Sequence, residues 1–296
     1  MIQFQDIIIQ RRKDLQRTME LKPLKDLKDE IESADKRGNK KILDKNVDPR
    51  LKGTGKASAK TKGQNFEQSI KNTENVRVIC EYKPASPSMG DISSTPLEKA
   101  IDVFESAGAS AVSVLTEENY FKGSLNNLKA ASRLTELPLI RKDFLVNEYQ
   151  IYEAKLAGAS AVLLMSGIYP DMQGGLDLSR NLGMEALVEC KSREDIENAL
   201  KSGAHVIGIN NRDFKDFTVD LERTRKLAVH VPQDVVLVSE SGVKSPEDAK
   251  LLASYGADAI LVGTGIMGAY GKSGMLTSAQ RIIDAVEGLK IQRVQK

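Results

Sequence analysis

The chain has 296 residues, of which 41% are hydrophobic and 28% are charged, and its formal net charge is +2. This length suits one large barrel or two modest domains. The two cysteines and two histidines are too few for a disulfide framework or a zinc site. No apolar run is long enough to span a bilayer, and the first residues lack the basic-then-apolar order of a signal peptide. We therefore expect a cytoplasmic protein without membrane contact, metal ion or cofactor, with Cys80 and Cys190 as reduced core thiols.

The first 65 residues are basic, with 17 Lys/Arg against 10 Asp/Glu. Apolar positions recur with a helical period over residues 2–36, and Pro23 interrupts them, which predicts one bent helix or two successive helices. Residues 37–63 are rich in Lys, Gly and Ser and predict a flexible linker. A basic segment is compatible with binding to nucleic acid or a protein partner. Its interspersed acids and lack of paired aromatics favour solvated helices and a connector.

From Val76 onward, short apolar runs alternate with helical patterns, after a short helix predicted over residues 65–71. The predicted strands cover 76–82, 111–116, 137–141, 160–165, 184–190, 205–210, 235–239 and 258–262. The predicted helices cover 96–107, 125–135, 148–157, a short one near 176–182, 193–201, 221–229, 246–255 and 277–287. Several helices are followed by Gly-Ala, and glycine is common just past a helix C-terminus. The near-continuous apolarity of the strands is typical of parallel strands that are covered on both faces.

Eight successive strand–helix units predict an α/β fold, a (β/α)8 TIM barrel with an N-terminal helical extension. We place the domain boundary between residues 63 and 64, with the barrel over 64–296. An open doubly wound sheet is the alternative. It is disfavoured because no G-x-G-x-x-G follows the first strand.

Charged and polar residues follow most of the predicted strands. In a barrel of this kind the functional residues gather where the strands end. Glu81 and Lys83 are two positions apart at the end of the first strand, so their side chains point to the same face. The other strands end in Leu115-Thr-Glu-Glu118, Arg141-Lys-Asp-Phe144, Glu189-Cys-Lys191, Asn210-Asn-Arg-Asp213, Ser239-Glu-Ser-Gly242 and Gly263-Thr-Gly265. The sequence thus predicts lysines, an arginine and carboxylates around one mouth.

Two small glycine-bearing turns follow the seventh and eighth strands, Ser241-Gly-Val243 and Val262-Gly-Thr-Gly-Ile266. Tight-turn chemistry alone explains many such loops. At this place in an eight-unit chain they favour a phosphate site made of backbone N–H groups.

The residue types indicate acid–base chemistry by lysine and glutamate. The sequence shows no metal-ligand spacing and no Ser–His pair, and we expect His205 and His230 to be structural or exposed. A lysine among carboxylates stays protonated and can donate to a carbonyl oxygen. A lysine among cations has a lowered pKa and can form a Schiff base. The spacing leaves both open.

Several motifs occur in an order that resembles the indole-3-glycerol-phosphate synthase family. They are Glu81-Tyr-Lys-Pro-Ala-Ser-Pro-Ser88, Ser113-Val-Leu-Thr-Glu117, Leu139-Ile-Arg-Lys-Asp-Phe144, Leu187-Val-Glu189, Gly208-Ile-Asn-Asn-Arg-Asp213, Ser239-Glu-Ser-Gly242 and Leu261-Val-Gly263. The resemblance covers about residues 64–288 and, loosely, the N-terminal helices, which cap the barrel in that family. It implies ring closure of 1-(2-carboxyphenylamino)-1-deoxyribulose 5-phosphate with loss of CO2 and water, in tryptophan biosynthesis.

The resemblance also implies roles for individual residues. Lys142 matches the general acid that protonates the ketone oxygen, and Glu189 matches its acid–base or electrostatic partner. Lys83 matches a residue that binds the carboxylate and serves as an acid in dehydration, with Glu81 to orient it. The remaining matches are Asn210 and Ser241 (positioning), Arg212 (carboxylate), Glu240 (substrate contact), Ser86, Gly242, Gly263 and Thr264 (phosphate clamp), and Leu115, Phe121 and Phe144 (apolar wall).

The family pattern further implies a small phosphorylated substrate, no nucleic acid, and a monomer or weak association with other enzymes of the tryptophan pathway. Four features depart from it: Pro84, Cys190-Lys191, the short fourth helix, and the long 37–63 linker. Two other functions compete with the synthase. One is an isomerase on a related phosphate-binding barrel, and the other is a non-catalytic barrel whose basic N-terminus binds nucleic acid or a protein.

Overall fold

The computed structural model describes residues 3–43, 65–71, 75–269 and 271–289. Within these residues eight parallel strands form a closed barrel, so the predicted (β/α)8 fold is confirmed. In order around the barrel each strand pairs with its neighbours along the chain, and the first strand closes the ring by pairing with the last (Cys80 opposite Val262). The barrel strands are β1 (Arg77–Tyr82), β4 (Ala111–Leu115), β5 (Leu139–Lys142), β6 (Ala161–Met165), β7 (Glu185–Cys190), β8 (Val206–Asn210), β9 (Val236–Glu240) and β10 (Ala259–Val262).

Helices separate the strands and cover the outside of the barrel. They are α4 (Leu97–Ala107), α5 (Leu125–Leu134), α6 (Tyr149–Leu156), α7 (Met172–Asn181), α8 (Arg193–Lys201), α9 (Glu222–Ala228), α10 (Pro246–Ser254), α11 (Thr264–Met267) and α12 (Gly271–Val286). The glycines predicted to end four of them, Gly108, Gly158, Gly203 and Gly256, all have φ between 84° and 91°. This left-handed conformation is the usual helix stop and favours glycine.

The pleat of the strands separates two layers of core. Outward residues such as Val78 and Val188 pack with the helices, and both cysteines lie in this outer layer as buried free thiols, as predicted. Inward residues such as Ile79, Ile140 and Leu187 fill the barrel. Because side chains alternate, the inward set continues two residues later with Glu81, Lys142 and Glu189, at the end of each strand.

A short helix, α3 (Phe66–Ile70), closes the N-terminal end of the barrel, where the sequence predicts a helix over 65–71. Asn65 caps it by accepting a hydrogen bond from the Gln68 N–H. Phe66 and Ile70 are fully buried against the inward residues of the strands.

Two helices precede α3, namely α1 (Phe4–Leu21) and α2 (Leu24–Leu43), with Pro23 between them. Of the two alternatives that the sequence predicts, one bent helix or two successive helices, the structure has the second. Leu15 of α1 and Leu27 of α2 pack with Tyr149 of α6, which fixes the pair against the barrel. The predicted linker is wrong over residues 37–43, where α2 continues because Lys and Asn tolerate a helix. The rest of it, 44–63, lies outside the described residues.

Three further predictions need correction. The fourth helix of the barrel, α7, has ten residues and is not short, because the Asp171 side chain caps it at the Gly174 N–H and Gly175 packs against Tyr169. The last helix begins at Gly271 instead of residue 277. The loop after β1 contains a two-stranded hairpin, β2 (Ala85–Ser86) with β3 (Gly90–Asp91), where we expected only a loop.

Candidate active site

The mouth of the barrel is formed by side chains from the carboxyl ends of β1 and of β4 to β9. Lys142 lies at its centre, with Nζ 3.2 Å from Glu240 Oε2 and 3.5 Å from Glu189 Oε2. All three side chains are at most 14% exposed. The sequence therefore placed these residues at one site, although it did not show which carboxylates face Lys142.

Lys142 is held in its protonated form. Burial lowers the pKa of this lysine, but the charges of Glu240 and Glu189 outweigh burial and raise it well above the usual lysine range. Burial raises the pKa of Glu240, and Glu189 adds to this while Lys142 opposes it. Among the described residues, Glu189 Oε2 and both carboxylate oxygens of Glu240 lack a hydrogen bond. Glu189 lines the inner cavity, where a substrate hydroxyl or ammonium group would use its free acceptor capacity, whereas Glu240 lies deeper, with Oε2 toward Lys142 and Oε1 against Gly208.

Lys83 has the opposite environment. Its Nζ lies 3.7 Å from Glu81 Oε1 and 5.7 Å from the centre of the Phe121 ring. Burial lowers the pKa of Lys83; Glu81 opposes this, while the cations Lys142 and Arg212 lower it further. The sequence left open whether a lysine here would be stabilised or destabilised as a cation. In the structure Lys142 is stabilised and Lys83 is destabilised.

Glu81 is itself fixed from two sides. Ser113 donates a hydrogen bond to its Oε2 over 3.2 Å, and its Oε1 lies against Gly263. A Cβ atom at residue 263 would stand 2.5 Å from that oxygen. Any larger residue at position 263 would therefore displace the Glu81 carboxylate from its place beside Lys83.

Pro84 fits the loop after β1 because its position uses only the carbonyl group. The carbonyl oxygen of Pro84 accepts hydrogen bonds from the N–H groups of Ile92 (2.8 Å) and Ser93 (3.1 Å), which closes the hairpin. A residue without an N–H donor is tolerated there. Cys190 and Lys191, the second departure, leave Glu189 in place.

An apolar wall lines one side of the mouth, and the predicted members Leu115, Phe121 and Phe144 all belong to it. Phe121 and Phe144 have ring centres 6.0 Å apart. The cavity between this wall and the lysines measures about 50 Å³, so side chains largely fill it. Glu189, Asn210, Arg212, Ser241 and Ser86 also line it.

A second, wider cavity of about 460 Å³ opens beside the first, over the loops after β9 and β10. Gly242, Gly263 and Thr264 line it, together with Lys83 and Ser241. Ser241 and Gly242 both have positive φ, 67° and 99°. Ser241, which is not a glycine, is held in a conformation that costs free energy, and such strain is concentrated at functional sites.

Ser86 is separated from the other three residues of the expected phosphate clamp. Its hydroxyl lies in the hairpin, 3.5 Å from Ser88 Oγ, and it lines the inner cavity only. Ser88 lines both cavities and is also 3.5 Å from Arg212 Nη1. The clamp role of Ser86 stays a prediction.

Several residues of the mouth were not selected from the sequence. Phe214 and Phe217 extend the apolar wall from the loop after β8. Phe4 of α1 stacks on Phe214, with ring centres 4.6 Å apart. The buried Glu117 accepts three backbone hydrogen bonds, from Asn119, Tyr120 and Phe121, and so shapes the loop that carries Phe121. Their positions after strand ends were a signal for Glu117 and Phe214, but no local pattern points to Phe4.

One group of possible metal ligands occurs among the described residues, outside the mouth. Glu67, Glu185 and His205 converge at the N-terminal end of the barrel, with His205 Nδ1 3.5 Å from Glu185 Oε2. They come from three separate segments, so spacing in the sequence does not reveal them. His205 is 54% exposed, which agrees with the exposed position expected for it.

A closed parallel barrel whose mouth combines two lysines of opposite character with three carboxylates defines a barrel enzyme of the acid–base type. The family model described as indole-3-glycerol phosphate synthase matches residues 36–275. A relative of that name from Methanothermobacter marburgensis is 43% identical over 263 residues, covering 89% of this chain and 85% of the relative. Another, from a Thermoanaerobacter species, is 37% identical, covering 88% of this chain and 91% of the relative. The chain belongs to the indole-3-glycerol phosphate synthase family.

Solved structures agree in fold only. Thiamine phosphate pyrophosphorylase from Pyrococcus furiosus aligns with a TM-score of 0.57 at 18% identity, over 76% of this chain and 99% of that one. A 3-hexulose-6-phosphate synthase aligns with a TM-score of 0.55 at 14% identity, over 71% of this chain and the whole of that one. At such identities the likeness supports the barrel and nothing more specific.

Proposed function

We propose that this chain is an indole-3-glycerol phosphate synthase of tryptophan biosynthesis, a carboxy-lyase that closes the ring of 1-(2-carboxyphenylamino)-1-deoxyribulose 5-phosphate. Family membership supports the reaction. The observation that carries the chemistry is Lys142 held as an ammonium ion between Glu240 and Glu189. A nucleic-acid or protein-binding barrel has no comparable support.

Ring closure begins when the aromatic carbon that bears the carboxylate attacks the ketone carbon of the sugar. Lys142 donates a proton to the ketone oxygen, which becomes a hydroxyl. The adjacent carboxylates stabilise the cationic intermediate, and the new carbon–carbon bond is retained as CO2 leaves. Preorganised charge of this kind contributes to the rate together with proton transfer.

Dehydration completes the indole. The hydroxyl leaves as water after protonation by Lys83. The lowered pKa of Lys83 makes it the stronger acid of the two lysines. Glu189 stabilises the cation that remains and takes up a proton as the ring becomes aromatic. Glu81 orients Lys83 through their ion pair at 3.7 Å.

Binding of the substrate uses both cavities. The anthranilate ring lies against Leu115, Phe121 and Phe144, and its carboxylate meets Lys83 and Arg212. Asn210 and Ser241 position the sugar hydroxyls, and Glu240 accepts one of them. The phosphate lies in the wider cavity on the backbone N–H groups of the glycine turns, with Gly242, Gly263 and Thr264 as its clamp. Ser86, which lines the inner cavity, is the fourth clamp residue that the family resemblance implies.

We further propose that residues 1–63 are a unit that caps the mouth of the barrel formed by 64–296. We also propose that the protein acts in the cytoplasm without a cofactor, as a monomer or in weak association with other enzymes of the pathway. None of the described helices combines the length and the apolar composition of a membrane span.

The test is turnover of the purified protein on the carboxyphenylamino substrate. We expect indole fluorescence to rise, with one CO2 released for each product molecule. An isomerase would convert a related sugar phosphate and retain the carboxylate, so CO2 release separates the two. A folded protein that releases no CO2 from this substrate would refute the proposed function.

A further inference from the structure

A buried ion cluster lies directly behind Lys142, on the outer face of β5. Its centre is Asp143, whose side chain is fully buried. Its Oδ2 accepts hydrogen bonds from Thr116 Oγ1 (2.6 Å), Arg141 Nη2 (3.0 Å) and Arg11 Nη2 (2.5 Å). Its Oδ1 accepts one from the N–H of Phe144 (2.8 Å). None of these groups is needed for the chemistry set out above.

Arg11 is the one member of this cluster that comes from outside the barrel. It belongs to α1, 132 positions before Asp143 in the chain, and its side chain is only 12% exposed. The same helix contacts the mouth twice more. Phe4 stacks on Phe214, and Asn119 donates a hydrogen bond to Asp14 over 2.8 Å.

The cluster holds the backbone that carries Lys142. The carbonyl oxygen of Lys142 accepts a hydrogen bond from the N–H of Thr116 (3.0 Å), the residue whose hydroxyl also binds Asp143. On the other side, the N–H of Phe144 is bound by the Asp143 carboxylate. The backbone after Asp143 is thus bound to its carboxylate directly, and the backbone before it is bound through Thr116, while Arg11 supplies a further donor to the same carboxylate.

We propose that Arg11 is a positioning residue for Lys142 that acts through Asp143. The packing of α1 on the barrel would then determine the position of the Lys142 ammonium group. The proposal rests on the role of Lys142 given above. Lys142 reaches Glu240 at 3.2 Å and Glu189 at 3.5 Å, and these contacts depend on the position of its backbone. Misplacement of a catalytic group by about 1 Å costs up to about 100-fold in rate.

The barrel does not depend on Arg11 to compensate the Asp143 charge. Arg141 stays paired with Asp143, and it also donates to the Gln150 carbonyl (2.7 Å) and pairs with Glu153 (3.0 Å). Removal of Arg11 therefore leaves a paired Asp143 carboxylate in a folded barrel. We expect it to change the position of Lys142 and not the fold.

The test compares Arg11→Met, Arg11→Lys and Arg17→Met in the full-length protein. Arg17 is an exposed arginine of the same helix and serves as the matched control. We expect Arg11→Met to lower kcat by about 10- to 100-fold with KM changed less than about twofold. Arg11→Lys keeps one donor and should recover part of kcat, and Arg17→Met should match the wild type. Equal kcat in Arg11→Met and Arg17→Met would overturn the proposal.

A crystal structure of each variant gives a reading that needs no turnover. The Lys142 Nζ to Glu240 Oε2 distance should lengthen in Arg11→Met and stay at its wild-type value in Arg17→Met. An unchanged distance in Arg11→Met would also overturn the proposal. If Arg11→Met does not fold, both measurements are made on Arg11→Lys. A lower kcat and a longer Lys142–Glu240 distance than in the wild type support the proposal, and wild-type values of both overturn it. A wild type without turnover would refute the proposed function, and the distance would still decide whether Arg11 positions Lys142.

Discussion

Two lysines 59 positions apart share one mouth and differ because of their neighbours. Lys142 is enclosed by Glu240 and Glu189, whose charges raise its pKa and favour its protonated form in the free enzyme. Lys83 is buried beside other cations and gives its proton up more readily. Opposite pKa shifts of the two lysines give a single site one lysine that is stabilised as a cation and one that is a stronger acid.

The lowered pKa of Lys83 has a consequence for the pH dependence of kcat. The protonated lysine is the active form, so kcat should fall as pH rises through its pKa. We expect the midpoint of that limb to lie below about 10.4, the ordinary lysine value. In Lys83→Arg the side chain stays charged, so the limb should move to higher pH.

The measurement is kcat from pH 6 to 10.5, with Lys99→Arg on the exposed face of α4 as the control. A limb that is at the same pH in Lys83→Arg and in the wild type would contradict the assignment of Lys83 as the proton donor.

The residue types and their places at strand ends were readable from the sequence, because period two alone puts Glu81 with Lys83 and Ile140 with Lys142. The partners across the mouth were not readable. Lys142 meets Glu240 only because the barrel closes with a particular register and tilt. The contact between Arg11 and Asp143 spans 132 positions and has no local signal.

At the scale of the element, the helices at the two ends of the barrel, α3 and α1, have different roles. The short α3 closes the N-terminal end with Phe66 and Ile70, far from the lysines. The longer α1 lies at the other end and brings Phe4 and Arg11 to the mouth. One end therefore serves stability and the other serves the site, as is usual in this fold.

Phe66→Ala should separate these tasks. Phe66 is 1% exposed, and the loss of a buried phenyl ring costs about 3–5 kcal/mol in the free energy of unfolding. Urea unfolding measures this cost, while kcat of the folded variant should stay near the wild-type value. Gln68→Ala, on the exposed side of the same helix, is the control. A loss below about 1 kcal/mol in the free energy of unfolding would show that α3 does not stabilise the N-terminal end of the barrel.

Two of the elements that were predicted wrongly, α7 and the β2–β3 hairpin, share a physical cause. Glycine pairs and loop residues weaken a local helix or strand signal, and tertiary contacts restore the element. In α7 the contact of Gly175 with Tyr169 restores it, and in the hairpin the carbonyl of Pro84 does. The strands were predicted well because a buried parallel strand is apolar along its whole length.

At the scale of the whole molecule, closure of the barrel is what turns scattered strand ends into a site. The side chains around Lys142 come from β1, β7 and β9, which lie up to about 160 residues apart in the chain. The order of the eight units predicts that they meet, and the fold confirms the closed barrel. Helix α1 contacts the mouth through Phe4 and Arg11; the family resemblance implies that the N-terminal helices cap the barrel, but no local pattern in the sequence predicts these contacts.

The central claim is that Lys142 is the proton donor of a decarboxylating ring closure. The most direct measurement is the rate of CO2 release and of indole product formation by Lys142→Ala, with Lys250→Ala on the exposed face of α10 as the control. We expect Lys142→Ala to lose about 100- to 10,000-fold in kcat while the control keeps the wild-type rate. A folded Lys142→Ala that releases CO2 at the wild-type rate would contradict the account.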